Sequence, residues 1–284
     1  ANISGSVPLA DLATFATTAN AVAGANITGG VALASFATSA GSAATAVTVT
    51  SPSQTIITSV GTLTSLRTSD DQVTLGFNAG LNTQSARGVA IGNDAGKDTQ
   101  GLSAVAIGYL AGTGTQSANS VAIGTLAGAT LQGGNAVAMG YDAGRNNQSA
   151  GAVAIGWEAG KDNGQGQSAV AIGQNAGSDG QGRDTVAIGR DSAELNQADY
   201  AVALGVNAGR NNQGTNSIAI GRDAGVTSQA AQNIIINASG GNLDSTQIGS
   251  FNVKPVRSLL GGGLPTGFQQ VAYNPTTGEF VYYS

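Results

Sequence analysis

Two acidic groupings, Asp70-Asp71 and Asp191 with Glu194, are the candidates for paired-carboxylate cleavage of a glycosidic bond. That chemistry needs two carboxyls at a set separation inside a cleft, and neither grouping is flanked by aromatic-rich insertions that would line one. Histidine and cysteine are absent, which removes Ser-His and Cys-His nucleophile pairs and the usual zinc sites. The Gly-Gly-x-Gly-x-Asp nonapeptide of calcium-binding rolls is missing as well. The expectation is a protein without enzymatic activity, catalytic residues, metal or cofactor.

A second chemistry is recognition. Phe77, Tyr109, Tyr141 and Trp157 are separated by multiples of 16 residues, so a structure with that period would stack them in one column. Stacked rings suit the apolar face of a sugar, making these four the candidate glycan or receptor contacts; the competing use is to fill grooves between protomers, where large rings bury much area. Beside them acid and base co-occur three residues apart, as Asp94 with Lys97, Asp142 with Arg145 and Glu158 with Lys161. Where the first position is Leu110 or Leu126, the second is uncharged Thr113 or Ala129. This covariation predicts ion pairs, worth about 0–1 kcal/mol each when exposed, that set register. The 11 basic residues are scattered and the net charge is −5, so no run of phosphates would be neutralised and nucleic-acid binding is not expected. No apolar run approaches the ~20 residues of a membrane span.

The element that must position these residues is a repeat. Val-Ala-Ile-Gly or a close variant recurs with its glycine at 76, 92, 108, 124, 140, 156, 173, 189, 205 and 221. The spacing is 16 residues except for one interval of 17, and Ile234-Ile235-Ile236-Asn237 forms a degenerate eleventh unit. Each glycine (Gly92, Gly108, Gly124, Gly140, Gly156) opens a G-x-x-A-G segment suited to a turn. A glutamine follows eight residues later, as in Gln100, Gln116, Gln132 and Gln148. Gln165 comes one place late, which puts the extra residue between Gly160 and Gln165. With 44 glycines in 284 residues, only five prolines and no Gly-X-Y period, collagen is excluded and small side chains stacked in columns are indicated.

The predicted fold is all-β: a parallel β-roll or β-solenoid of about eleven 16-residue coils, each holding two short strands. Strand alternation puts Val and Ile on one face and Ala on the other. The natural assignment places the Val89-Val105-Val121 and Ile91-Ile107-Ile123 columns inside. The Ala90-Ala106-Ala122 column then faces a neighbouring chain, and the glutamines form an amide ladder along the axis. So thin a body keeps most of its surface wet, which points to an oligomer.

Residues 73–240 resemble the YadA-like heads of trimeric autotransporter adhesins, through Ser120-Val121-Ala122-Ile123-Gly124 and Ser217-Ile218-Ala219-Ile220-Gly221. The resemblance implies a homotrimer of parallel β-rolls; the departures are a longer period, 16 against that family's usual 14, and the regular Ala-Gly pair and glutamine. The flanks are similar to virus and phage fibres. Residues 1–50 carry a looser repeat, with Asn2-Ile3-Ser4-Gly5 matched by Asn26-Ile27-Thr28-Gly29, and are expected to form an extended shaft; residues 51–72 form a connector. The start at Ala1, without Met, leads to the expectation of a fragment or processed chain. Residues 241–284 resemble the short neck upstream of the endosialidase-type (S74) intramolecular chaperone, which implies self-cleavage leaving Ser284 as the new C-terminus. Together these features predict an extracellular homotrimeric fibre on a virion or surface filament, attaching to a host receptor or glycan. A bacterial adhesin head and a polysaccharide-degrading tail spike are the alternatives.

Overall fold

The computed structural model describes residues 71–256, 271–274 and 279–282. The chain divides into two units, residues 1–64 and 65–284. The segments expected to form a shaft and a connector, up to Asp70, and Ser284 lie outside the described residues.

The described chain is all β, without a helix, and winds as a parallel solenoid. The Val-Ala-Ile segments form one broad sheet of twelve strands, from Val73–Leu75 to Phe251–Lys254. Each residue pairs with its counterpart one coil on: Val89 with Val105, Ala90 with Ala106, Ile91 with Ile107. The glutamine segments make a narrower second sheet in two runs, Thr83–Gln84 to Leu131–Gln132 and Asp162–Gln165 to Leu243–Ser245. Bridges from Gln132 to Gln148 and from Gln148 to Gln165 join them. The extra residue sits where the sequence places it, in a register shift between Asp162 and Gln165. The last broad-sheet strand falls within 241–284 and pairs in parallel with Ile234–Asn237. Farther on, Val271–Asn274 and Glu279–Tyr282 form an antiparallel hairpin.

The inside of the coil is the reverse of the assignment made from alternation. Ala90, Ala106, Ala122, Ala138 and Ala154 are fully buried, as are the turn alanines Ala95, Ala111, Ala127, Ala143 and Ala159. The Val and Ile columns face outward, and Met139, Ile155 and Leu204 are 38%, 36% and 42% exposed. The reason is room. Four inward positions per coil, such as Ala90, Ala95, Gln100 and Ala104, all fully buried, fill a lumen too narrow for facing Val and Ile chains as well.

The glutamines are the other half of that interior. Gln132 Nε2 donates to the Val121 carbonyl at 2.8 Å and to Gln148 Oε1 at 3.1 Å, bracing one sheet against the other and one rung against the next. The amide ladder runs from Gln116 to Gln165 and again from Gln181 to Gln213. A buried amide without partners would cost about 1–3 kcal/mol; here the strand carbonyls accept from the amide nitrogens. Within the ladder the preceding amide donates to Oε1 of Gln132, Gln148, Gln165, Gln197 and Gln213, while Oε1 of Gln100, Gln116, Gln181 and Gln229 has no partner among the described residues. The glycine four residues earlier makes the space: a Cβ on Gly112 would lie 2.7 Å from Gln116 Oε1. That close approach explains why Ala-Gly and Gln travel together through the repeat. At the C-terminal end Ile235 takes the alanine position, with Leu243 packed against the same cluster.

Candidate functional site

Three outward features remain once the interior is filled, all carried by the broad sheet and the G-x-x-A-G turn. The first is the Val/Ile face. Twelve rungs at ~4.8 Å make a continuous apolar stripe about 53 Å long. The opposite face is polar and suited to water: Asn82 bonds Asp98 at 2.9 Å, Thr130 bonds Asn146 at 2.9 Å and Asn196 bonds Asn212 at 3.1 Å, each one coil apart.

The second feature is the aromatic column. Phe77, Tyr109, Tyr141 and Trp157 all lie exposed at the corner that follows the strand, at 71%, 52%, 49% and 57%. The structure brings only two of the four together: Tyr141 and Trp157 meet edge to face, centroids 6.0 Å apart and planes at 77°. They alone line an open wedge of about 300 Å³. Asn93 and Thr125 interrupt the column on either side of Tyr109.

The third is the charged column one residue farther on. All three predicted pairs form: Asp94–Lys97 at 3.2 Å, Asp142–Arg145 at 3.6 Å and Glu158–Lys161 at 3.4 Å. Lys161 also reaches down one rung to Asp142 at 4.0 Å. Of the acidic groupings weighed for catalysis, Asp191 pairs with Arg190 at 2.6 Å and Glu194 with Arg210 at 2.6 Å, so both carboxylates are held by cations. The Glu194 hydrogen bond raises the Arg210 pKa further. Among the described residues no cluster of three or more His, Cys, Asp or Glu side chains is placed to hold a metal ion.

Sequence reasoning missed an amide–acid ladder in this column. Asn78, Asn175 and Asn207 each donate from Nδ2 to the Asp one coil on (Asp94, Asp191, Asp223) at 2.8–2.9 Å. The signal was present as Asn sixteen residues before Asp. The backbone asks for these residues too: the position has positive φ, 53° at Asn78 and 54° at Asp94, which Asn and Asp tolerate better than other side chains. The Asn78 hydrogen bond, followed by Lys97, holds the Asp94 carboxyl below the usual carboxylate range against its partial desolvation. Asp142 is the exception. Leu126 stands one coil below it, Oδ1 has no hydrogen-bond partner, and desolvation pushes its carboxyl up despite Arg145 and Lys161.

The contrast between Asp94 and Asp142 predicts that Leu126→Asn stabilises the coil by about 1–2 kcal/mol. It relieves a leucine at φ 59°, a conformation costing ~1–2 kcal/mol. It also gives Asp142 the donor that Asp94 has, offset in part by the leucine packing it removes. The pH dependence has a definite sign. Because the folded Asp142 carboxyl lies above its unfolded value, its contribution is fully present below the unfolded pKa and is lost as pH rises through the folded one. Asp94 does the opposite, contributing above the unfolded pKa and losing it as pH falls. Thermal unfolding of the two proteins between roughly pH 4 and 7 checks both: the gain from Leu126→Asn should be largest at the upper end and shrink towards the lower.

No known protein family, curated protein or solved structure matches this chain.

Proposed function

We propose that the chain is a structural fibre protein. Parallel copies, three to a fibre, join along the Val/Ile face, and the coil stack extends from the surface of a virus or phage particle to engage a host receptor or glycan. The observation that carries this reading is the twelve-stranded sheet that turns both of its large apolar columns away from its own interior. With its flanking corners the face is ~20 Å wide and covers on the order of 1,000 Å², close to the ~800 Å² each partner contributes to a standard interface. Isolated soluble proteins rarely leave so long an apolar patch uncovered. The likeness of the repeats to trimeric adhesin heads supports three copies, and the likeness of the flanks to viral fibre shafts supports the surface location. A mechanical role suits the interior, because most rungs repeat the same buried alanine and glutamine positions and extension requires no moving part.

Sedimentation equilibrium tests the assembly. The protein should sediment at three times its 27.7 kDa chain mass. Val121→Lys combined with Ile123→Lys should reduce it to single chains with its β-sheet circular dichroism intact, since both side chains point away from the lumen. A wild-type chain that is monomeric at micromolar concentration, or a lysine variant that unfolds, would contradict the proposal.

A further inference from the structure

Each rung ends in two outward corners: the residue after the glycine, and the residue two places before the first Val or Ile. Six residues of extended chain separate them, up to ~20 Å, so within one protomer the two corners of a rung cannot touch. Their sizes are nevertheless matched. Trp157, the largest side chain at the first corner, shares its rung with Gly151 at the second. Tyr141 shares with Asn135 and Tyr109 with Ser103. Arg190 shares with Asp184, opposite in charge, and Asp184 enters no ion pair among the described residues.

Small residues at the second corner have a local cause, because its φ is positive on every rung, from 53° at Asp71 to 69° at Gly151, which favours Asn, Asp and Gly. The informative rungs are those that go against that preference. Arg87, Tyr200 and Gln232 occupy the second corner at φ 60°, 61° and 56°, and their rungs carry Asn93, Val206 and Ala238 at the first. Bulk at one corner thus goes with smallness at the other, in both directions, with no contact inside the chain to enforce it.

We infer that neighbouring copies stand in register, without axial stagger, and that the first corner of each packs into the second corner of the next at the same height. The occupant of the Tyr141–Trp157 wedge is then a second copy of this chain, and Arg190 reaches Asp184 of its neighbour. A parallel ring joins unlike edges in this way. Sliding one copy by a rung would set Phe77 against Arg87 and Arg190 against Tyr200, bulk on bulk. The inference rests on the proposed assembly but fixes what that assembly leaves open: which rung of one copy meets which rung of the next across the seam, and the use of the aromatic column.

Because the chain has no cysteine, introduced thiols report without background. The full 284-residue chain carrying Asp184→Cys and Arg190→Cys is treated with a bis-maleimide too short to bridge the two corners of one protomer. It should give a covalent three-chain product at least tenfold more abundantly than a one-rung-shifted control, Arg190→Cys with Tyr200→Cys. A charge exchange gives an independent reading: Asp184→Arg alone should weaken the assembly, and adding Arg190→Asp should restore it. Preferential linking of the shifted pair, or of neither pair while the mass remains that of three chains, overturns the register and leaves the assembly standing. A single-chain mass before linking overturns both.

Discussion

Gly108→Ala should cost about 4 kcal/mol or more of stability, whereas Gly134→Ala should be neutral to slightly stabilising, and thermal unfolding of the two variants would measure the difference. Gly108 lies at φ 128°, a region closed to residues with a Cβ except at a strain of ~1–3 kcal/mol. A Cβ there would sit 2.6 Å from the carbonyl oxygen of Gly124 and 2.7 Å from its carbonyl carbon. Neither atom can move aside, since each is backbone of the next rung and Gly124 N–H bonds the Ile107 carbonyl at 2.8 Å. Gly92 approaches Gly108 in the same way, so the glycines form a column of backbone-to-backbone approaches up the solenoid. Gly134 has no positive φ, and its nearest neighbour to an added Cβ is the Ala118 carbonyl at 3.5 Å. There the methyl mainly restricts the unfolded chain, an effect of about 0.4–1 kcal/mol in favour of folding. Equal losses at both positions would mean that the repeat glycines are not stacked.

The sixteen-residue spacing made the coil, the turn positions, the site of the extra residue and the three ion pairs legible, because each is fixed by chain-local geometry and period. The orientation of the Val-Ala-Ile strand was not, since alternation states which residues share a face and not which face is inside. Hydrophobicity points the wrong way here because it ranks residues by how apolar they are, whereas the lumen selects by size. A clue was available. The alanine of Ala-Gly holds its size through almost every turn, while the outer columns accept Leu75, Met139 and Leu204 in place of Ile. A column that tolerates changed shapes faces space, and one that admits only a methyl faces a wall. The glutamine was legible as a ladder but not as a brace across the interior, because its second partner, a strand carbonyl eleven residues back, leaves no mark in side-chain identity. The aromatic corner was visible as a column. Its relation to the opposite corner emerged only when the turns showed which residues end each rung.

The inside-out packing also predicts a large contrast in thiol chemistry between two positions three residues apart. Ser217 and Ala219 are fully buried while Ile220, three residues after Ser217, is 36% exposed. Ser217→Cys is close to isosteric, losing only the hydroxyl bond to the Gly214 carbonyl at 2.6 Å, and Ile220→Cys trims an outward chain. Both are placed in the Val121→Lys, Ile123→Lys background so that no neighbouring copy covers the face. A lumen thiol is modified only when the coil opens, and protection by a stable core suppresses such reactions by on the order of 10³-fold or more. The measurement is the rate of maleimide labelling in native buffer. The thiol from Ile220→Cys should react at once and that from Ser217→Cys only on the unfolding timescale. Fast labelling at 217 with protection at 220 would place Val and Ile in the lumen, and the outward apolar face, with the assembly built on it, would have no basis.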